Sequence, residues 1–369
     1  MSEKIVFVGV DVDDKAFHIA GLDLAIGEFS ESKCKPTFGA LMQKLEKFQE
    51  EGYTPKVCYE ATYLGYSLCR QIRASGIWCD IIAPSLIPEQ SSARVKTDRK
   101  DSLKLAEYYA KGLLTAINIP DEEDEQVRSL IRIRSFFVNQ SKECKQEILS
   151  FCRYNNLHYR SDNAASYWTA THRKWIEQEL VKLPLPAKTS VEALIENLDR
   201  LAKHVESFDK EIESLSQSDR YRLRCETLCC FKGIQTLSAM TIITELGDVR
   251  RFKHPSKLVS YCGMDIREYS SGGKERKMGI TKMGNRRLRT VLVEACQVAD
   301  KGSTISKYLK ARREKVPEKL SDIAVRCQVR LRKKSTKMFV AGKHRNKIKV
   351  ACARELTGFL WEALMTVAA

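Results

Sequence analysis

No stretch of the chain carries eighteen uninterrupted apolar residues, so a membrane-spanning helix is excluded. Ordered cysteine spacing is equally scarce. The 13 cysteines are scattered, and the one cluster, Cys225, Cys229 and Cys230, has neither a C-x-x-C pair nor a nearby His at zinc spacing. A zinc module is thereby excluded, and buried free thiols in a reducing cytosol are expected. No secretory leader is expected either, because Met1-Ser2-Glu3-Lys4 opens directly into a strand. The reading is of a cytoplasmic, nucleoid-associated prokaryotic protein with no membrane partner.

What is present is length and lopsided charge. With 369 residues the chain can bury the cores of two or three domains. The formal net charge is +16, yet from Arg251 onward there are 29 Lys or Arg against 10 Asp or Glu, a net of +19. The first 250 residues hold 34 basic and 37 acidic side chains, a net of −3. An excess confined to the last third implicates a polyanionic partner, most simply nucleic acid.

The strand Ile5 to Val12 organises the N-terminal part. Seven of its eight residues are apolar or Gly, the pattern of a strand buried on both faces, and Asp11 interrupts it. An acid is costly there unless a cation or a donor meets it. Ala16 to Asp23 reads as a strand pairing back, and Ile26 to Ser30 as a third. Phe38 to Phe48 reads as an amphipathic helix, and Lys56 to Ala61 as a strand carrying Glu60. Tyr63 to Ser75 is expected to be a helix closed by Gly76, and Ile77 to Ile82 another strand. Strands separated by helices imply a mixed α/β sheet. Asp98 and Asp101, three apart, share one helical face, and Leu105 and Tyr109 continue the stripe towards the sheet. A capped helix start would also place acids there. Four carboxylates at one sheet edge repel unless divalent cations neutralise them.

Pro120 begins a different regime. Helical periodicity through Val127 to Phe137, and a heptad-like pattern from Leu194 to Leu215, read as an antiparallel coiled-coil or dimerisation element. Packing within one bundle would show the same pattern. From Leu228 to Asp248 the sequence reads helix, Gly turn, helix, like a helix-hairpin-helix that offers backbone N–H groups to phosphates. Gln235 stands where a second Gly is usual, and a merely structural hairpin fits equally well. Ser270-Ser271-Gly272-Gly273-Lys274 is either a polar surface turn or a Gly-rich loop carrying a nucleophile. The tail from Lys301 to Arg354 is densely basic, with phosphate contacts expected.

Three segments together resemble a known family. Val8 to Asp13, Tyr59-Glu60-Ala61-Thr62 and Lys96 to Ser102 are similar to the D, E, D and D segments of the DEDD insertion-sequence transposases, the "IS one-ten" family. Leu258 to Met264, Tyr269 to Lys274 and Gly279 to Arg289 resemble that family's C-terminal transposase domain. The resemblance implies a RuvC-like, RNase H-like α/β domain over residues 1–119, a helical coiled-coil or dimerisation linker over 120–222, and a mostly α, basic transposase domain over 223–369. It implies Asp11, Glu60, Asp98 and Asp101 as catalytic metal ligands, with Asp13 as understudy to Asp11, holding two Mg²⁺ or Mn²⁺ ions. It places a nucleophile at Ser271, with Ser270 second, and phosphate-binding cations at Lys274, Arg276, Lys277, Lys282, Arg286, Arg287 and Arg289. The expected activity is DNA cleavage and rejoining at insertion-sequence and target sites, guided by a structured bridge RNA, in a dimer or tetramer. A RuvC-like junction nuclease without a covalent step, and a binder without catalysis, are the competing readings.

Overall fold

The computed structural model describes residues 4–88, 98–159, 166–271, 274–299 and 305–369, with the side chains of 98, 269–271 and 274–277 outside that description. The chain divides into two compact units, residues 1–120 and 121–369.

Unit 1 is built on a five-stranded mixed sheet. Its strands are β1 (Lys4–Val12), β2 (Phe17–Asp23), β3 (Glu28–Cys34), β4 (Tyr53–Glu60) and β5 (Trp78–Ile82), in the order β3-β2-β1-β4-β5. β1, β2 and β3 form an antiparallel meander, while β4 and β5 run parallel to β1. The parallel pairs need crossovers, supplied by α1 (Phe38–Glu50) between β3 and β4 and α2 (Ser67–Ala74) between β4 and β5. Thr37 caps α1 by accepting from the Ala40 N–H.

Alternation along β1 sends Val6, Val8, Val10 and Val12 into a core with Leu41 and Leu45 of α1 and Leu68, Cys69 and Ile72 of α2. The other face carries Phe7, Gly9 and Asp11 and receives α3 (Asp98–Ala110). Gly9 has no side chain for a reason: a Cβ there would lie 2.3 Å from the Ser102 carbonyl oxygen and 2.5 Å from the Ala106 nitrogen. The helix backbone therefore rests directly on the strand. Phe7 meets the Tyr109 ring edge-on at 5.9 Å, so α3 runs antiparallel to β1.

Unit 2 is mostly helical. α4 (Glu122–Tyr154) and α6 (Leu185–Ser216) pack along one another, with α5 (Ala170–Leu180) between them in sequence. Asp121 caps α4 by accepting from the N–H groups of Glu123 and Asp124. The core proper gathers α7 (Arg222–Cys229), α8 (Thr236–Leu246), α9 (Pro255–Tyr261), α10 (Arg286–Ala295), α12 (Glu318–Val340) and α13 (Arg345–Ala368), with α11 (Lys307–Arg313) set against α7. Val127, Ile131 and Ile212 of the long helices join that same core.

Two readings gain detail here. The segment after residue 301, read as a basic tail, is structural: Leu320, Ile323, Cys327, Leu331, Cys352, Leu356, Leu360 and Leu364 are buried in the core. Its cations are partly used internally, since Glu355 of α13 accepts from both Arg330 and Lys334 of α12 at 2.6 Å. The segment around Ser270 and Ser271 is an antiparallel hairpin of β6 (Ile266–Ser271) and β7 (Lys274–Ile280), with Ser271 paired to Lys274 across Gly272 and Gly273, which lie outside the described residues. All 13 cysteines are free thiols, and all but the half-buried Cys34 are buried.

Gly9→Val tests the sheet packing. The added side chain must push α3 away, and overpacking of this kind costs about 1–3 kcal/mol. A melt of the variant should show a clear loss of stability, whereas Gly39→Ala, where an added Cβ meets nothing, should not.

Candidate active site and basic face

The acids of unit 1 gather at one end of the sheet. β1 and β4 are parallel with Val10 opposite Tyr59, so the next pair along the same register is Asp11 beside Glu60. Adjacent strands lie about 4.8 Å apart, so the two residues occupy neighbouring positions at the strands' C-terminal ends. Both face α3. Asp11 follows Gly9 by two residues, and Glu60 follows Cys58, whose Sγ meets the Leu105 carbonyl oxygen at 3.7 Å.

Since Ser102 sits over Gly9 and the helix runs antiparallel to β1, its first turn lies towards Asp11. Asp98 is the first residue of that turn, and Asp101 is in it. Leu105 packs on Cys58 and Ile82 while Ala106 packs on Ala20 and Leu22. Helical rotation accordingly puts Asp101 on the Glu60 side. Asp11, Glu60 and Asp101 are all half-buried. Among the described side chains no three His, Cys, Asp or Glu form a ready metal site, and Asp98 is not among those side chains.

Other acids nearby are committed to structure. Asp80 on β5 accepts from the Tyr109 hydroxyl at 2.7 Å, the Trp78 indole at 3.0 Å and Arg73 at 3.1 Å. Asp13 caps its own turn by accepting from the Lys15 N–H at 2.9 Å. Glu31 of β3 pairs with Arg99, Nη2 to Oε1 at 2.7 Å, tying the first turn of α3 to the sheet. The Glu60 carboxylate, by contrast, has no hydrogen bond or ion pair among the described residues. A feature the sequence reading missed is the exposed Tyr63, whose phenol the neighbouring Asp14 carboxylate pushes up to about 12.

In unit 2, the motif residues around Gly263 and Gly284 form a crossing point. Gly284 has φ +137, and a Cβ on it would meet the Tyr261 carbonyl oxygen at 2.3 Å. Gly263 has φ +64, and a Cβ on it would lie 2.6 Å from the Met283 carbonyl oxygen. The loop 281–285 is pinned there by the Lys282 N–H to the Gly263 oxygen at 2.9 Å and the Asn285 N–H to the Tyr261 oxygen at 2.8 Å. Asn285 then caps α10, accepting from the N–H groups of Arg287 and Leu288.

Asn285 also donates its Nδ2 to Glu245 at 2.9 Å. Glu245, almost fully buried on α8, is gripped by Arg132 of α4 through two bonds of 2.8 and 2.9 Å. Burial alone would raise its pKa, but the hydrogen bonds from Arg132 and Asn285 and the charges of Arg132 and Arg128 hold it below the usual carboxylate range. A lone acid in the apolar run Thr236 to Leu246 was the sequence signal for this node.

The cations fall into two groups. Lys282, Arg286 and Arg287 are exposed, Arg287 lying 3.8 Å from Glu245. Arg289 is half-buried and donates to the Cys262 carbonyl at 2.8 Å. The helical hairpin around Gly233 is held from below, with Arg312 donating to the Ile234 oxygen at 3.2 Å and Arg313 to the Cys230 oxygen at 3.1 Å. Gly233 itself has φ +95 and no room for a Cβ against the Ala295 carbonyl oxygen.

A parallel-strand pair ending in acids, followed by a basic helical unit, marks a class of enzyme that works on nucleic acid. Comparison with known families places it more narrowly. Residues 225–310 match the model described as "Transposase IS116/IS110/IS902 family", and residues 8–153 match a second model described as "Transposase", the DEDD type of the same group. The Sinorhizobium fredii protein "Putative transposase y4qE" is 33% identical over 322 residues, covering 87% of this chain and 77% of the relative. The transposase for insertion sequence element IS1533 of Leptospira borgpetersenii is 28% identical, covering 90% of this chain and 96% of the relative. The transposase for element IS1111A of Coxiella burnetii is 24% identical over 66% of each chain. The chain belongs to the IS116/IS110/IS902 family of DEDD transposases, enzymes of DNA transposition. Among the described residues no helix is long and apolar enough to cross a membrane.

Glu245→Gln should lower the stability of the chain at neutral pH by about 2 kcal/mol, because Arg132 and Asn285 lose a charged partner. A carboxylate with a depressed folded pKa stabilises above its unfolded value, 4.5, and that contribution fades as pH falls further. Melts between pH 7 and 3 should therefore show a smaller acid loss in the variant than in the parent chain.

Proposed function

We propose that unit 1 is an RNase H-like, RuvC-like domain whose Asp11, Glu60, Asp98 and Asp101 prepare the scissile phosphate of DNA, and that Ser271 of unit 2 attacks it and takes up the strand end. What supports the first part is the parallel register of β1 and β4, which ends at Val10 opposite Tyr59, one residue short of Asp11 and Glu60, on the sheet face that receives α3. The meander followed by two parallel strands, with a helix across one face, supports the RNase H-like assignment. An all-oxygen donor set of carboxylates suits hard divalent ions, and these four would hold two Mg²⁺ or Mn²⁺. When bound, the ions would supply Lewis acidity at the scissile phosphate.

The chain's own residues do the rest. Ser271 closes β6 opposite Lys274 at the tip of a hairpin, a shape that can enter a groove. Its Oγ attacks phosphorus, forming a serine–phosphate ester while the P–O bond to the leaving strand breaks. The departing oxygen takes up the proton that the serine gives up. Lys274, Arg276, Lys277, Lys282, Arg286 and Arg287 would hold the phosphates, and Arg289 fixes the α10 base. Asn285 orients the first turn of α10, and so the bases of Arg286 and Arg287, through Glu245. Guidance by a structured RNA, and a dimer or tetramer built through α4 and α6, complete the reading. The junction-nuclease reading lacks a use for the Ser271 hairpin.

Asp11→Asn, Glu60→Gln or Asp101→Asn should each reduce strand cleavage by at least about a hundredfold with DNA binding kept. Ser271→Ala should abolish the covalent protein–DNA adduct on a denaturing gel, while Ser270→Ala retains it. Hydrolytic cutting by Ser271→Ala at the parent rate would return the case to the metal-only nuclease.

Binding should also respond to salt. Each phosphate neutralised on duplex DNA adds roughly −0.9 to the slope of log K against log salt. Arg286→Gln with Arg287→Gln should flatten that slope by about two; an unchanged slope would remove α10 from the DNA face.

A further inference from the structure

We infer that His18 and Lys33 hold the DNA strand on one flank of the acids, as contacts to the phosphates next to the scissile bond. The inference rests on the cleavage reading for the place of that bond. It adds a cationic flank to unit 1, of which that reading uses only the acids.

The sheet register carries it. His18 of β2 is paired with Asp11 of β1, and Lys33 of β3 is paired with His18. Residues directly opposite one another on antiparallel strands lie on one face of the sheet. Lys33, His18 and Asp11 therefore form a row, and Glu60 follows at the end of the next strand. Packing identifies the face independently: Ala20 and Leu22, two and four residues on from His18, cluster with Ala106 of α3. With adjacent strands about 4.8 Å apart, His18 stands one spacing from Asp11 and Lys33 stands two. The row thus passes from acid to base within about 10 Å. One strand of duplex DNA carries a phosphate for about every 3.4 Å of axis, so Lys33 falls within about three nucleotides of a phosphate at the acids.

The state of each side chain supports the assignment. Lys33 is exposed, and its ammonium has no hydrogen bond or ion pair among the described residues. Glu31, two residues back on the same face, is already held by Arg99 through two bonds. It is therefore engaged elsewhere. His18 is half-buried between the acid and the lysine. An imidazole carries at least one ring N–H whether neutral or charged, so it can donate to a phosphate oxygen in either form. The phosphates beside the scissile one would face carboxylate charge. A cation on this flank offsets that repulsion and fixes the strand's register without reading its sequence.

The test footprints lysines on the full-length protein by acetylation with an N-hydroxysuccinimide ester, read by mass spectrometry. The probes are mixed-sequence single strands of DNA and of RNA. Excess DNA should slow labelling of Lys33 severalfold and leave Lys47 unchanged, since Lys47 is exposed on α1 across the sheet. In titrations of the same DNA against salt, Lys33→Gln should flatten the slope of log K by about 0.7, the share of one single-strand phosphate, and Lys47→Gln should not. His18→Leu should weaken the strand, while His18→Gln, which restores an N–H donor, keeps most of the affinity. Should His18→Leu melt early, Lys33 still decides. Equal labelling of Lys33 with and without DNA, an unchanged slope in Lys33→Gln, or protection by RNA alone would overturn the contact. Strand cutting by Asp11→Asn tests the cleavage reading separately: its loss with Lys33 unprotected removes only the contact, and normal cutting removes that reading while a protected Lys33 still touches DNA.

Discussion

The closest approach in unit 1, the backbone of α3 lying on Gly9, fixes where every acid of the site can be. A helix seated on a side chain would stand further from the sheet and be free to slide. Seated on a glycine, its Ser102 and Ala106 backbone atoms meet the strand directly, and its register along β1 is set to within a fraction of a turn. From that point the geometry follows. Two residues along the strand is Asp11, and about a turn back along the helix are Asp101 and Asp98. The parallel pairing of β1 with β4 adds Glu60 at the same level. Arg99 bound to Glu31 steadies the free end of the helix.

Unit 2 solves a similar problem by other means. The base of α10 must be held while its arginines remain exposed. Glycine again permits close contact, at Gly263 and Gly284, but the alignment comes from a buried carboxylate. Glu245 receives Arg132 from α4 and Asn285 from the loop, and Asn285 in turn caps α10. Removing Arg132 would leave the buried Glu245 charge without its two-bond partner, so the node resists piecemeal change. The long helices are thereby joined to the basic face through one side chain.

Much of this was legible in the sequence where burial leaves a period. The valine alternation of β1 and the apolar spacing of α1 announced themselves. The close seat on Gly9 did not, because one glycine in an apolar strand has many explanations until its neighbour is known. The β6–β7 hairpin was missed for a physical reason: Ile266, Arg267 and Glu268 are exposed, so no buried face imprints an alternating pattern. The charge of the last third suggested a tail for binding, yet its apolar residues, spread through charged helices, build the core. Charge reveals what a surface meets and says little about whether the segment beneath it is removable.

The central claim is that three segments far apart in sequence converge on divalent metal at one sheet edge. Loading the protein with Fe²⁺ in place of Mg²⁺ and adding ascorbate and peroxide cuts the backbone beside the bound ion. The account predicts fragments ending near residues 11, 60 and 98–101, suppressed by excess Mg²⁺ and lost in Asp11→Asn. Cutting elsewhere, or none that Mg²⁺ suppresses, would contradict it.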